Sequence, residues 1–410
     1  MTLRNLPLIA VNIGLVAGRR VAKLYRHYAS RLRRTAKRSA ERAKNTKTHL
    51  RQSAERGRDD VVHMRAAAVR TARYWDRVRE QLFDPLRHDL SIRRELGAVA
   101  SGDEPIIVGP WLSEVGYEVL YWIPFVRWFV HQYDVDRQRL VVVSRGGAAT
   151  WYADIASRYA ELLELFEPEE FARRNRMRQA SGLQKQLMAA EFDQEVLRRL
   201  EDRDGIRGAK LLHPSLMFRM LRRFWLGNAT LEYALQHLRF APVPPGPAAA
   251  ALELPRRFTA VKFYTGPAIP DTPEHRQIVR SVVERLAAQS PVVVLSTGLR
   301  LDEHEDFLFG GLTNVTTVDA QMRPQINLGL QTEIIRRSSL FVGTAGSLAW
   351  LAPMLGVDTI GMYADDRFLG PHFYAARYAY ASMDAAGRFM PLDLQVAGRF
   401  EFAQKGLLVH

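Results

Sequence analysis

The sequence predicts an α/β protein: two doubly wound lobes facing a cleft, preceded by a basic helical N-terminal extension. Three observations carry this. Short apolar runs that end in glycine alternate with stretches of helical texture, which is the pattern of parallel sheets. A proline-rich segment, "APVPPGPAAAALELP" at 241–255, separates these units into two groups, because several prolines in a few residues forbid both helix interior and central strand. At 410 residues the chain also exceeds what one hydrophobic core usually serves.

The extension is defined by charge. Residues 1–58 hold 16 Lys and Arg against only Glu41 and Glu55, and so carry the whole formal net charge of +14. The remaining 352 residues balance 42 basic against 42 acidic side chains, so a basic segment has been joined to an electrically ordinary body. It begins with "LPLIAVNIGLVAG", 13 residues, short of the roughly 20 that span a bilayer as a helix. The following "RRVAKLYRHYASRLRRTAKRSAERAKNTK" has no Pro or Gly and is rich in helix formers.

A short apolar run beside a polybasic helix suits an anionic membrane surface, each nearby Lys or Arg adding up to about 1 kcal/mol. The expectation is therefore a protein peripheral on the inner face of the cytoplasmic membrane through residues 1–58. A helix packing on a partner, a solvated tail and a nucleic-acid segment compete with that reading. Nucleic acid is disfavoured because no recognised module surrounds Tyr25, His27 and Tyr28. The absence of cysteine excludes disulfides, thiolate metal sites and a Cys nucleophile, and fits a reducing, cytoplasmic compartment. Residues 59–100 read as continued helix and connector. The expected divisions are thus 1–100, a first lobe at 101–240, the linker at 241–255 and a second lobe at 256–410.

In the first lobe "IIVGPW" reads as a strand leading into a helix after Glu118. A second strand from about Leu140 ends at Ser144-Arg145-Gly146-Gly147, and "AATWYADIASRYAELLELF" is expected to be helical. Residues 168–240 read as helices apart from turns such as "LLHPSLM". In the second lobe "FTAVKFYTG", "PVVVLSTG" and "LFVGTAGSLAWLAPMLGVDTIGMYA" supply strands, with helices at "EHRQIVRSVVERLAAQ" and "QINLGLQTEIIRRSS".

Small residues with free amides and hydroxyls gather at Gly343, Thr344, Ala345, Gly346 and Ser347, between a strand and a helix, a place that favours phosphate. An ordinary tight turn capped by Ser347 explains the same residues equally well. The loop matches neither GxxxxGK[ST] nor GxGxxG. Lys262 within a strand, with Thr265 and Gly266 at its end, is placed to neutralise a diphosphate. Thr297 and Gly298 end the next strand, followed by Asp302, Glu303 and His304, which read as a ribose or base grip or as a solvated loop. "YDVDR" at 133–137 has the spacing of an Asp-x-Asp metal motif but precedes a strand, so it reads as a turn and no metal is assigned.

This arrangement resembles a GT-B glycosyltransferase, with two Rossmann-like lobes, the acceptor side first and the nucleotide-sugar side second. "GYEVLYWIPFVR", with Gly116, Glu118 and Pro124, is similar to the glycine, acid and proline of the ADP-heptose heptosyltransferase type. That type has its acid directly after the glycine, whereas Tyr117 intervenes here and Glu stands for Asp. "LGLQTEIIRRSSLFVGTAGSLAWLAPMLGVDTIGMYADD" resembles the same family's C-terminal stretch, with Trp350 near the position of its helix His. The likeness covers about residues 105–130 and 258–366.

The resemblance implies transfer of a sugar from a nucleotide-sugar donor to a glycan or glycolipid acceptor, in cell-envelope polysaccharide synthesis, with no cofactor beyond the donor. Glu118 is then the candidate base and Glu114 its alternative, since an apolar wall of Tyr121, Trp122, Ile123 and Phe125 would raise the pKa of an acid beside it. Helix N-terminal stabilisation of both acids is the competing explanation. Gly343–Ser347, Lys262, Thr265, Gly266, Thr297 and Gly298 are expected on the donor, and Gly116 and Arg145 on the acceptor or a phosphate; Arg145 reads equally as an arginine that stabilises its own loop, and edge-strand or interlobe pairing competes for Lys262. A nucleotide-sugar epimerase of the same fold and a non-catalytic glycan- or nucleotide-binding scaffold are the alternatives.

Overall fold

A computed structural model describes residues 85–183, 185–246, 253–297, 305–384 and 386–397. The expected membrane segment at 1–58, together with Gly298, Asp302, Glu303 and His304, lies outside these residues. Among the described residues no helix is long and apolar enough to cross a membrane.

The protein is α/β, with two parallel sheets flanked by helices. The first contains β1 (Ile106–Val108), β2 (Leu140–Ser144), β3 (Arg158–Glu161) and β4 (Lys210–Leu212) in the order β3-β2-β1-β4. The second contains β5 (Thr259–Lys262), β6 (Val292–Val294), β7 (Val315–Thr317), β8 (Leu340–Thr344), β9 (Thr359–Tyr363) and β10 (Phe389–Asp393) in the order β10-β9-β8-β5-β6-β7. Every strand pairing is parallel. In both sheets the order reverses beside the first strand, between β1 and β4 and between β5 and β8. The crevice beyond the carboxyl ends at such a reversal is where doubly wound sheets bind ligands.

Continuous apolar runs such as Val141–Val143 and Val292–Leu295 are buried, as central strands covered on both faces require. The helices begin where proline and caps dictate. Pro168, Pro214 and Pro273 open α3 (Pro168–Arg178), α5 (Pro214–Trp225) and α7 (Pro273–Gln289), because the missing amide costs nothing in the first turn. The His213 and Thr272 side chains accept from the amides of Ser215 and His275. The remaining helices are α1 (Pro85–Ala100), α2 (Ile123–Gln132), α4 (Glu191–Asp204), α6 (Leu231–Leu235), α8 (Asn327–Arg337), α9 (Ser347–Met354), α10 (Gly370–Ala381) and α11 (Leu394–Ala397). Helix α1 buries Ile92 and Leu96 in the largest hydrophobic core, which includes side chains from both sheets.

Two elements depart from the sequence reading. The stretch after Gly147 is a 3-10 turn, Ala148–Tyr152, followed by β3 rather than a helix. The cause is tertiary: Glu161 at the end of β3 accepts from the amides of Gly146 at 2.9 Å and Gly147 at 2.8 Å, and from Tyr159 Oη at 3.0 Å. An extended β3 brings that carboxylate to the turn. The second departure is β4, whose Leu211 and Leu212 fall in "LLHPSLM", a stretch expected to be a turn between helices. Its chain runs into His213-Pro214, and proline pushes the preceding residue out of helical conformation.

The carboxyl edges of the two sheets meet. The Gly146 carbonyl accepts from the amides of Leu328 and Gly329 at 2.8 and 2.9 Å, occupying the N-terminus of α8. Trp151 Nε1 donates to Thr332 Oγ1 on the same helix at 2.9 Å. Gly147, at φ 74°, lies so close that a Cβ would sit 3.1 Å from Gln325 O, and a Cβ on Gly329 would sit 2.6 Å from Gly147 O. Gly329→Ala should therefore lower stability by about 1–3 kcal/mol in chemical denaturation. Gly310→Ala, whose Cβ would meet nothing within 4 Å, should change it by less than about 0.5 kcal/mol.

Candidate functional site

The residues singled out in the first lobe converge on the chain that leaves β1. Arg145, buried at the end of β2, donates to the carbonyls of Trp111 at 3.1 Å and Ser113 at 2.8 Å and so holds that segment in place. The chain then enters a helical turn, Val115–Tyr117, and a π-helical turn, Glu118–Trp122, in which the Glu118 carbonyl accepts from the Ile123 amide. Such wide turns recur at functional sites.

Glu118 is the first residue of the π-helical turn and is 0% exposed. Its Oε1 accepts from Ser144 Oγ at 2.5 Å and Tyr152 Oη at 2.7 Å, while Oε2 is buried with no hydrogen-bond partner. Burial raises the carboxyl to about 7, opposed by the Arg145 charge and the two hydroxyls, with Glu161 adding to the rise. The acid therefore exchanges its proton near neutral pH. The expected wall of Tyr121, Trp122, Ile123 and Phe125 is fully part of the core, with Trp122 stacked between Trp111 at 5.7 Å and Phe125 at 6.0 Å.

Glu114 stands apart on the loop, 34% exposed and 2.8 Å from Lys185 Nζ. Lys185 also lies 3.5 Å over the Tyr117 ring. His372, near the start of α10 on the second lobe, sits between two tyrosines of the first: its Nδ1 is 2.7 Å from Tyr121 Oη and its Nε2 is 3.3 Å from Tyr117 Oη. Burial and then the Lys185 charge lower the imidazole to about 4, against Glu114. It is neutral at neutral pH.

On the second lobe, Gly343 and Thr344 end β8 and Ala345 is buried beyond it. The Thr344 hydroxyl accepts from the Tyr264 amide at 3.0 Å and donates to the Tyr264 carbonyl at 3.1 Å, stitching β8 to β5 at the crevice. Gly346, at φ 138°, lets Tyr264 Oη approach to within 2.7 Å of where a Cβ would stand. Ser347 then opens α9 at φ 40°, an unusual conformation for a residue with a Cβ. Gly116 rests on this point, since its Cβ would lie 2.9 Å from Ser347 N and 3.4 Å from the Trp350 ring.

The other donor-side candidates form a separate unit. Lys262 Nζ donates to Asp306 at 2.7 Å and to Leu295 O at 3.0 Å, and Asp306 also accepts from the Thr297 amide at 2.8 Å. Thr265 pairs through its amide with Glu305 O at 2.9 Å, and the Gly266 amide donates to Ile269 O at 3.0 Å. The "YDVDR" stretch is a turn in which Asp136 accepts from the Gln138 amide. Among the described residues no three His, Asp or Glu come together to hold a metal ion.

Tyr152, Glu161, Lys185, Trp225, Asp306 and His372 belong to these clusters without having been assigned roles from the sequence. Only Asp306 lay within a stretch already marked, "LSTGLRLDEHEDF". The others carry no local motif.

No family model and no curated protein matches this sequence. Among solved structures the chain is similar to the iron-containing dodecameric glycosyltransferase TibC from enterotoxigenic E. coli, at 11% identity and a TM-score of 0.37, over 63% of this chain and 58% of that one. The chain thus spans less than two thirds of TibC. It is also similar to a family 9 glycosyl transferase from Veillonella parvula, at 11% identity and a TM-score of 0.38, over 71% and 86% of the two chains. A third is the glycosyltransferase SnogD from Streptomyces nogalater, at 14% identity and a TM-score of 0.25, over 71% and 87%.

The raised pKa of Glu118 fixes a pH dependence. The folded state holds this proton up to about 7 whereas an unfolded glutamate releases it near 4.5, so stability falls as pH rises between those values. Above pH 7 the buried charge should cost about 3 kcal/mol. Glu118→Gln should accordingly raise the melting temperature relative to wild type at pH 8, with the difference shrinking toward pH 4.5, in parallel thermal melts.

Proposed function

We propose that the protein is a glycosyltransferase that moves a sugar from a nucleotide-sugar donor to a glycan or glycolipid acceptor. The observation that carries this reading is the contact of Gly116 with the first amide of α9. It puts the turn bearing Glu114 and leading into Glu118 against the strand-reversal crevice of the other sheet. A helix N-terminus at such a crevice favours a phosphate, and a carboxyl that exchanges its proton near pH 7 suits a general base.

In this mechanism the donor diphosphate lies at Gly343, Thr344, Ala345, Gly346 and Ser347, where the N-terminus of α9 stabilises the charge that develops on it; the Ala345 amide is already given to Met362 O at 2.7 Å and takes no part. The Lys262–Asp306–Thr297 unit, with Thr265 and Gly266, shapes the nucleoside side. Lys262 is already paired with Asp306, so its role is to hold the ends of β5 and β6 rather than to meet the diphosphate as an unpaired charge. The acceptor hydroxyl attacks the anomeric carbon as the bond to the diphosphate breaks with its electrons on the leaving oxygen. Glu118 Oε2 takes the hydroxyl proton; its Oε1 remains fixed by Ser144 and Tyr152. Because Glu118 is buried in this closed arrangement, the acceptor reaches it only when the edges part. Arg145 positions the 111–113 segment. Direct displacement inverts the anomeric centre, and no cofactor is required beyond the donor.

Setting the reaction in cell-envelope polysaccharide synthesis, at the cytoplasmic face of the membrane, rests on the basic, locally apolar segment at 1–58. The division into 1–100, 101–240, 241–255 and 256–410 is part of the same proposal.

A thermal-shift panel of nucleoside diphosphates and their sugars should single out one nucleotide without added magnesium, since saturation at 100 times Kd adds about 2.7 kcal/mol. With that donor, Glu118→Gln should lower kcat by about 10²–10⁴ while leaving the shift intact. Wild-type kcat should rise with pH through about 7 as the base ionises. A folded protein that no nucleotide shifts at millimolar concentration would remove the basis of this reading.

A further inference from the structure

Outside the Glu118 pocket, one cluster of polar and aromatic side chains draws on four separate segments. Glu114 and Tyr117 come from the turn after β1, Lys185 from the connection between α3 and α4, Trp225 from the end of α5 and His372 from α10. The Tyr117 and Trp225 rings meet edge to face at 5.1 Å, and Tyr117 meets His372 likewise at 5.1 Å. Tyr121 closes the back of the group, 5.0 Å from Trp225. All of Glu114, Tyr117, Lys185, Trp225 and His372 keep part of their surface in solvent, with the Glu114 and Lys185 side chains 34% and 32% exposed.

We propose that Glu114, Tyr117, Lys185, Trp225 and His372 form a saccharide-binding subsite, and that on the reading above it takes the acceptor sugar. Its composition selects this ligand class. The carboxylate supplies acceptors and the ammonium supplies donors 2.8 Å apart, a spacing at which neighbouring hydroxyls of one sugar ring can engage both. The partly exposed Trp225 ring beside them offers surface to the C–H face of a pyranose, while specificity rests on the few polar groups. One negative and one positive charge with a neutral imidazole give no net charge, which suits a neutral polyol and not a phosphate. His372 is held by two tyrosine hydroxyls and so fixes the relative position of the two lobes at this point.

The position of the cluster agrees with that use. Glu114 and Tyr117 flank Gly116, which touches Ser347 N and Trp350, so the subsite adjoins the helix terminus assigned to the donor diphosphate. An ion pair exposed to this extent contributes only about 0–1 kcal/mol to stability. Stability alone therefore gives little account of Lys185 reaching both Glu114 and the Tyr117 ring.

The test uses the full chain and a panel of methyl glycosides (gluco, galacto, manno and N-acetylglucosamine) in saturation-transfer NMR. At least one glycoside should show transfer to its ring protons, with an apparent Kd at least tenfold weaker in Lys185→Ala. Trp225→Ala should lose the same signal, and because Trp225 packs on Phe218 its folding is checked by melting; Lys185→Ala carries the conclusion if Trp225→Ala does not fold. Absence of binding by every glycoside, or equal binding by wild type and folded variants, would overturn the subsite. The nucleotide panel is read separately. Glycoside binding sensitive to Lys185 without any nucleotide shift would leave the subsite standing and the transferase reading rejected.

Discussion

The constraint on which the rest depends is the close approach of backbone between the two carboxyl edges. At Gly116 and Ser347, and again at Gly147 and Gly329, the chains stand so near that one added carbon would collide with main-chain atoms. Side chains cannot intervene at these points, so the edges register through peptide groups, which are rigid and obligatory in their hydrogen bonding. The Gly146 carbonyl ends α8 in the manner of a cap drawn from the other lobe. Two sheets that could otherwise slide are thereby held with their strand-reversal crevices opposed.

That registry explains the electrostatics. Bringing the edges together excludes water from the turn after β1 and leaves Glu118 with two hydroxyl donors on one oxygen and none on the other. A carboxylate so placed lacks the hydrogen bonds that would hold it ionised at low pH, and its proton affinity rises. Glu161, also buried, receives three backbone amides and a tyrosine hydroxyl, and its carboxyl is raised as well, burial outweighing those bonds. The two acids divide the work. Glu161 organises the glycine turn, whereas Glu118 keeps one carboxyl oxygen unengaged.

The π-helical turn at 118–122 joins fold and chemistry. One widened turn lets Tyr121 and Trp122 enter the core in different directions, Tyr121 toward His372 and Trp122 onto Trp111. An apolar run of this length is ambiguous to any fixed helical period, so the sequence marks it as buried without saying how it is wound.

By itself the sequence determined the α/β class and most elements of the second sheet, because alternating buried runs, glycine ends and proline starts are local signals. It also marked Glu118 and the Gly343–Ser347 turn, whose residue types stand out against their neighbours. Tertiary structure alone decided that β3 and β4 are strands, since their extended form answers to Glu161 meeting a glycine turn and to pairing with β1. It decided that Lys262 is engaged by Asp306, that Arg145 serves the chain at 111–113, and that Lys185, Trp225 and His372 gather around Tyr117. Those partners lie dozens to hundreds of residues apart, and the chemistry of a buried or shared side chain depends on which distant atoms the fold brings within a few ångströms of it.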